Sequence, residues 1–315
     1  MKNLKVYCLG KGKIEIDEEP IIEPKEDEVL IRCLANGICM AEISLFAGLE
    51  KVGEKSQSLM GHEGFGIIEK KGKNVTNVKE GDYVVSWKWN TYEIQKAEDL
   101  KKFNIKKVDD PSLYVVEPPS CVVNAYQFYE IIPGDKVLLL GVGFMGLLNL
   151  QLVSHAPVGE IFVADINPNN LKLAKEYGAT KVFNLANEED KKELEKYKNY
   201  FDLVIESAGA EATIQVAGEY ARPAGTIGIF AWHHIERSVN LGKWHVKGLK
   251  VLNPSPVMGE NRKIDNFGRA ITLVENKVFN LEKLVTHRFR VEDTEKALKT
   301  CIERPSNYIK AVLLF

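Results

Sequence analysis

The sequence predicts an α/β protein with a doubly wound parallel sheet and a second, mostly β part. Between about residues 122 and 260, strand-like and helix-like segments alternate, which is typical of a parallel sheet with helices on both faces. Residues 1 to about 121 carry strand patterns with few helix signals. A glycine-rich turn directly after one buried strand marks the most informative point of the alternating region.

That turn begins at Gly141, where the apolar run Val137–Leu140 ends. Gly141, Gly143 and Gly146 follow the spacing G-x-G-x-x-G. The first glycine permits a tight turn, the second lets a pyrophosphate approach the backbone, and the third lets the helix pack against the strand. A helix that starts here directs its N–H groups toward the phosphates. The spacing therefore predicts a dinucleotide site.

Asp165 follows the next predicted strand, Ile161–Ala164, at about the 20-residue spacing expected of a ribose-binding carboxylate. An acid in this place accepts a hydrogen bond from a ribose 2′-hydroxyl and repels a 2′-phosphate. The context favours NAD over NADP as the cofactor. The alternative is an ordinary strand–helix–strand turn with an acid there by chance.

The remaining elements are predicted from caps and apolar runs. Asn167-Pro168 begins a helix that Gly178 ends, and Asn187 begins a charged helix that runs to Tyr197. Further predicted strands are 29–34, 66–69, 83–85, 181–183, 202–206, 226–230, 249–252 and 309–314. Further predicted helices are 97–103, 267–275 and 294–302.

Composition excludes several classes of protein. The chain has 315 residues, 45% of them hydrophobic, a net charge of −2 and a pI of about 6.4. These values do not indicate a nucleic-acid or anionic-membrane surface. The most apolar stretch, Val137–Leu148, is too short to cross a bilayer, and no signal peptide is recognised. Five scattered cysteines indicate a reducing compartment, so we expect a cytoplasmic protein.

Three residues before the glycine turn are candidate metal ligands: Cys39, His62 and Glu117. A catalytic zinc uses three protein ligands and keeps one position open for water or substrate. On residue type alone, the interpretation without a metal is a buried thiol, a core histidine and a surface carboxylate.

The local sequences around these residues favour a metal site over the interpretation without a metal. The motifs that carry a resemblance are Gly37–Cys39, Gly61-His62-Glu63-Gly64-Phe65-Gly66, Gly81–Val84, Glu117-Pro118, Leu284–Phe289 and Tyr308–Lys310. In this order they resemble the zinc-containing medium-chain dehydrogenases over nearly the whole chain. The resemblance implies a GroES-like catalytic domain at residues 1–121 and 261–315, split by a Rossmann NAD-binding domain at residues 122–260.

The resemblance also implies roles for single residues. Glu117 matches the polyol-dehydrogenase branch, and Glu63 is a fourth ligand or lies just outside the ligands. Cys121 falls near the nicotinamide. The other cofactor contacts implied, besides the three glycines and Asp165, are Phe144, Met145, Asn170, Ser207 and Phe230.

Three departures from the family pattern stand out. No cysteine lies between Val85 and Glu117, so we expect no structural zinc. Ala41 replaces the hydroxyl residue that normally handles the substrate proton. Ser44 stands where many members have a histidine. Glu42 then either orients His62 or acts as the base itself, with Ser44 or ordered water as the other routes for the proton.

The sequence therefore predicts an NAD-dependent, single-zinc dehydrogenase that oxidises a secondary hydroxyl of a polyol, sugar or cyclitol. A homo-oligomer, dimer or tetramer, is expected. The alternatives are a threonine- or amino-alcohol-type dehydrogenase and a nicotinamide-binding redox sensor without catalysis. The segments 231–234 and 243–245, rich in Trp and His, either line a polar substrate pocket or lie on the surface.

Overall fold

The structure is a computed structural model that describes residues 2–49, 60–233, 235–254 and 264–315. It consists of two compact units. The first comprises Met1–Pro119 with Phe267–Phe315, and the second comprises Ser120–Asn266. The predicted boundary between residues 260 and 261 lies outside the described residues.

The second unit contains a six-stranded parallel sheet. Its strands are β7 (Lys136–Leu140), β8 (Glu160–Asp165), β9 (Lys181–Asn184), β10 (Phe201–Glu206), β11 (Ala221–Ile229) and β12 (Lys250–Leu252). Their spatial order is β12-β11-β10-β7-β8-β9. The chain builds outward from β7 to β9 and then returns to the other side of β7, so the strand order reverses between β7 and β10. Ligands bind at such a switch point in doubly wound sheets. The parallel sheet with this strand order confirms the predicted fold class.

Five helices connect these strands, and a further helix leads into the unit. They are α2 (Glu117–Tyr129), α3 (Phe144–Val153), α4 (Pro168–Glu176), α5 (Glu188–Glu195), α6 (Glu211–Tyr220) and α7 (Leu241–Val246). The predicted caps are confirmed, because the Asn167 and Asn187 side chains accept from the backbone N–H groups of Asn169 and Glu189. These contacts satisfy N–H groups that have no partner within a helix.

The first unit is built mostly on antiparallel strands, with one parallel pair formed by its last two strands. β1 (Asn3–Gly10) pairs with β2 (Lys13–Glu19), and a second sheet has the order β13-β14-β3-β4-β5 with β6 beside β3. These strands are β3 (Glu28–Gly37), β4 (Gly64–Lys71), β5 (Tyr83–Ser86), β6 (Tyr92–Lys96), β13 (Val285–Arg290) and β14 (Lys310–Leu314). The helices are α1 (Met40–Ala47), α8 (Asn266–Glu275) and α9 (Thr294–Glu303).

Two sequence predictions are wrong. Residues 97–103 form a turn and an extended segment rather than a helix, because Phe103 and Lys101 hydrogen-bond to β5 and Phe103 is buried there. The helix after Asn187 ends at Glu195, two residues before Tyr197. In the first case tertiary pairing overrides a local helix preference.

Apolar burial supports each unit separately. Strands β7 and β10 are fully buried over Val137–Leu140 and Leu203–Glu206. Burial of this kind is the main source of stability in a folded domain. Within the described part of the chain, every helix is too short or too polar to cross a membrane.

Candidate metal centre and dinucleotide site

The glycine turn joins β7 to α3 at the switch point. Gly141 has a φ of 88°, and a Cβ there would lie 2.6 Å from the Cβ of Ala208. A Cβ on Gly146 would lie 2.2 Å from the carbonyl oxygen of Gly141. At Gly143, in contrast, nothing lies within 4 Å of the Cβ position. The first and third glycines are thus required by packing, while the second leaves open space suited to a pyrophosphate.

Asp165 ends β8 beside this turn. Its Oδ2 accepts from the N–H of Val142 at 2.6 Å, and its Oδ1 accepts from the N–H of Asn167 at 2.7 Å. Both contacts fix the carboxylate at the carboxyl edge of the sheet, where a ribose hydroxyl would be met.

The other predicted cofactor residues lie in two groups. Phe144 and Met145 form the first turn of α3, and Asn170 is buried on α4. Ser207 and Phe230 follow β10 and β11 at the carboxyl edge of the sheet. The hydroxyl oxygen of Ser207 and the amide oxygen of Asn170 are buried without a hydrogen-bond partner among the described residues. Cys121 is buried on α2.

The candidate metal ligands converge in the first unit. Sγ of Cys39, a ring nitrogen of His62 and a carboxylate oxygen of Glu63 all lie within 4.8 Å of one another. Cys39 caps α1 at the end of β3, and His62-Glu63 leads into β4. Thiolate, imidazole and carboxylate form a donor set that zinc accepts, so the residues present fit a zinc ion.

Glycines explain why these side chains can approach so closely. A Cβ on Gly37 would lie 1.9 Å from Oε2 of Glu63. Gly61 has a φ of 98°, and a Cβ there would lie 2.3 Å from the backbone nitrogen of Trp89. Larger residues at either position would displace the ligand-bearing loop.

Glu42 is completely buried behind the donor set. Its Oε1 accepts from the N–H of Gly61 at 3.0 Å and lies 3.1 Å from Nδ1 of His62, and its Oε2 accepts from the N–H of Cys39 at 2.8 Å. Since Nδ1 faces Glu42, Nε2 is the ring nitrogen that would ligate a metal. This is the arrangement by which a carboxylate orients a histidine ligand.

Lys310, to which sequence reasoning gave no role, contacts this group directly. Its ammonium group is buried, donates to the carbonyl of Ile38 at 2.9 Å and lies 2.8 and 2.5 Å from the two oxygens of Glu63. Oε2 of Glu63 has this ion-pair contact but no hydrogen bond of good geometry. The position of Lys310 in the motif Tyr308–Lys310 was the signal that could have found it.

Burial and the neighbouring carboxylates shift the pKa values of this group. Burial raises the pKa of the Cys39 thiol. Burial opposes the charged form of His62, but Glu42, Cys39 and Glu117 raise its pKa far above the usual range. Burial likewise opposes the charge on Lys310, and Glu63 raises its pKa. Metal binding to such ligands releases their protons.

The remaining predicted residues lie outside this compact group. Glu117 begins α2 and is buried; it acts on His62 through its charge but is outside the compact three-residue group. Ser44 is buried on α1, and its hydroxyl has no hydrogen-bond partner among the described residues. Of the Trp and His segments, Trp232 is 53% exposed and Trp244 is buried against Gly218. His234 lies outside the described residues.

Two family models match the chain. The model of the alcohol dehydrogenase GroES-like domain matches residues 25–109, and that of the zinc-binding dehydrogenases matches residues 145–275. The GroES-like assignment that the resemblance implied is therefore confirmed.

Similar proteins agree with these models. The chain is 26% identical over 338 residues to sorbitol dehydrogenase from Ovis aries, covering 95% of this chain and 93% of that protein. Among solved structures, L-idonate 5-dehydrogenase from Escherichia coli has a TM-score of 0.88 at 19% identity, with 100% and 99% of the two chains covered. Galactitol-1-phosphate dehydrogenase from Escherichia coli has a TM-score of 0.81 at 21% identity, and both chains are covered completely. The chain belongs to the zinc-containing medium-chain dehydrogenases of the polyol dehydrogenase type and is an alcohol/polyol oxidoreductase.

Proposed function

We propose that this chain is an NAD-dependent dehydrogenase with one zinc, which oxidises a secondary hydroxyl of a polyol, sugar or cyclitol. The observation that carries the proposal is the convergence of Cys39, His62 and Glu63 within 4.8 Å. A thiol, an imidazole and a carboxylate are thereby brought together in one partly buried group, as zinc coordination requires.

When bound, zinc would lower the pKa of the substrate hydroxyl and NAD would accept the hydride. The chain's own residues prepare both sites. Cys39 and His62 would hold the metal, with Glu117 as the third ligand. Glu63, a member of the compact group that pairs with Lys310, would be a fourth ligand. The role of Glu42 is to orient His62.

The cofactor preference rests on Asp165. Its carboxylate is fixed by Val142 and Asn167, so a 2′-phosphate would meet a fixed negative charge. The open space at Gly143 supports a pyrophosphate above the turn. The charge of Asp165 supports NAD rather than NADP, whereas the space at Gly143 suits the pyrophosphate of either cofactor.

The polyol class is supported by the pair Glu117-Pro118 and by the names of the similar proteins. Sorbitol, L-idonate and galactitol-1-phosphate are the substrates in those names, and all three carry secondary hydroxyl groups. A multiply hydroxylated substrate is therefore the first class to test.

The test combines metal analysis with a substrate screen. The purified protein should hold about one zinc per chain and reduce NAD with at least one polyol, sugar alcohol or cyclitol. Cys39→Ser should lose zinc and activity but keep its fold, and Cys8→Ser serves as a matched thiol control elsewhere in the first unit. A protein that binds NAD but holds no zinc and oxidises none of these alcohols would contradict the proposal in favour of a redox sensor.

A further inference from the structure

Glu206 ends β10 at the switch point, directly opposite Leu140 of β7. Its side chain is 0% exposed. Oε1 accepts from the N–H groups of Ala208 and Gly209, both at 2.9 Å, and from Oγ1 of Thr213 at 2.7 Å. One buried carboxylate thus fixes the whole connection from β10 to α6.

The backbone of Glu206 also fixes the next connection. Its carbonyl accepts from the N–H of Phe230 at 2.9 Å and from the N–H of Ala231 at 3.0 Å. The two chain segments that leave β10 and β11 are therefore both tied to a single residue. A carboxylate in such a place needs charge compensation, because an isolated buried charge is costly.

His233 and Arg237 complete the arrangement. Oε2 of Glu206 lies 3.0 Å from Nε2 of His233, and Nε of Arg237 lies 3.2 Å from Nδ1 of the same ring. A guanidinium can only donate, so Nδ1 is the acceptor and Nε2 carries the proton that is donated to Glu206. Nη2 of Arg237 donates in turn to the carbonyl of Gly209 at 3.1 Å.

These contacts form a closed ring from Glu206 through His233 and Arg237 to Gly209 and back to Glu206. The ring joins the segment 207–210 to residues 230–233 and to Arg237. It also rests on the glycine turn, since Ala208 packs against the position where Gly141 has no side chain. The buried hydroxyl of Ser207, which has no partner among the described residues, lies within the same segment.

The position of the ring identifies the part of the cofactor that it serves. Asp165 follows β8 and would contact the ribose 2′-position that distinguishes NAD from NADP. This position belongs to the adenosine half of the cofactor. The doubly wound sheet has two mononucleotide-binding halves. Strands β10 to β12 are therefore the half that receives the nicotinamide end.

We propose that His233 and Arg237 are positioning residues for the nicotinamide half of the dinucleotide, acting through Glu206 on the segments that carry Ser207 and Phe230. This inference rests on the proposed use of NAD. Loss of the ring leaves the adenosine half intact, because no contact of the ring involves Asp165.

The test compares two ligands on the full-length protein. NADH reports both halves of the site, and ADP reports only the adenosine half. Arg237→Gln and His233→Ala should each weaken NADH binding about tenfold, the loss expected of one charged hydrogen bond, and change ADP binding less than twofold. NADH fluorescence and titration calorimetry give the two dissociation constants.

The matched control is Arg222→Gln, which removes an arginine paired with Asp202 near the start of β10, at the amino end of the sheet. It should change neither constant. Unchanged ADP binding also shows that each variant is folded. If Arg237→Gln does not fold, it is replaced by Arg237→Lys, which keeps the charge but loses the Nε contact. Nitrogen NMR of the unmodified protein should show the His233 proton on Nε2.

Three results would overturn the inference. Equal weakening of NADH binding and ADP binding would show general damage to the site. Normal NADH binding by both variants would show that the ring does not position the nicotinamide half. A proton on Nδ1 of His233 would exclude the hydrogen bond from Arg237. Failure of the unmodified protein to bind NADH at all would overturn the proposed function as well, so the two failures are distinguishable.

Discussion

Three carboxylates of the two units share one feature, which is that the backbone holds them in place. Asp165, Glu42 and Glu206 are each held by backbone N–H groups, and each faces a different task. A carboxylate held in this way is oriented before a ligand arrives, and charge-assisted hydrogen bonds of this kind are stronger than neutral ones.

Asp165→Asn should narrow the preference for NAD over NADP. The amide keeps the size and an acceptor for one backbone contact but removes the charge that repels a 2′-phosphate. We expect NAD binding to weaken on the order of tenfold, with NADP binding unchanged or improved. Asp135→Asn, which changes an acid that accepts from the N–H of Ile132, is the control. Equal affinity of the unmodified protein for both cofactors would contradict the assignment.

Glu42→Gln should lower zinc affinity by about 10–100-fold and leave the rate per bound zinc nearly unchanged. The reason is that Glu42 is buried and engaged with Cys39, Gly61 and His62. Ser44→Ala, a change on the same helix, should keep its zinc. A fall in the rate per bound zinc for Glu42→Gln would instead make Glu42 the base that the sequence also allowed.

At the scale of elements, the turn between β5 and β6 depends on Glu93. Both of its oxygens accept from the N–H of Trp87, at 3.0 and 3.1 Å. Burial raises the pKa of Glu93 to about 7, although these hydrogen bonds favour the charged form. The turn lies against Gly61, next to His62, so the carboxylate couples the turn to the loop that bears the metal ligands.

Glu93 should make stability depend on pH. The folded state holds the proton up to about pH 7, whereas the unfolded state loses it near 4.5. The folded state therefore binds more protons in this window, and the free energy of unfolding falls as pH rises through it. The contribution is fully present below about pH 4.5 and is lost above about 7, a difference of about 3 kcal/mol.

Urea unfolding at pH 5 and pH 8 checks this prediction. The loss of stability between the two pH values should be smaller in Glu93→Gln, because the amide does not titrate. Glu98→Gln, a change at an exposed carboxylate, should behave like the unmodified protein. The same pH dependence in all three proteins would show that Glu93 does not titrate in this range.

At the scale of the whole molecule, a metal bound by the folded chain shifts the folding equilibrium. At a thousandfold excess over its dissociation constant, zinc should stabilise the protein by about 4 kcal/mol. Melting temperature with zinc and with a chelator measures this. The chelated protein should still unfold cooperatively, because the core of the first unit, around Phe46, Trp89 and Leu298, is apolar and contains none of the metal ligands.

His62→Ala should lose the zinc-dependent rise in melting temperature. His287→Ala should keep it, because among the described residues the removed ring contacts Thr286 by a hydrogen bond and the rings of Phe289 and Tyr308. An equal rise in both variants would mean that zinc acts elsewhere on the chain.

The sequence by itself determined the parallel sheet, its glycine turn, the helix caps and the fold class. These features depend on short-range patterns: a buried strand needs a continuous apolar run, a cap needs a short polar residue next to the helix, and the turn needs glycine where a Cβ would collide. For this reason Gly141, Asn167 and Asn187 were predicted in their observed roles.

Only the tertiary structure decided which distant side chains meet. Lys310 reaches Glu63 across 247 residues of sequence, and His233 reaches Glu206 across 27. The segment 97–103 pairs with β5 although its local pattern favours a helix. Contacts of this kind are selected by burial and by the need to satisfy buried charges. Neither requirement leaves a fixed spacing in the chain, so the partners of Glu63 and Glu206 became known only from the fold.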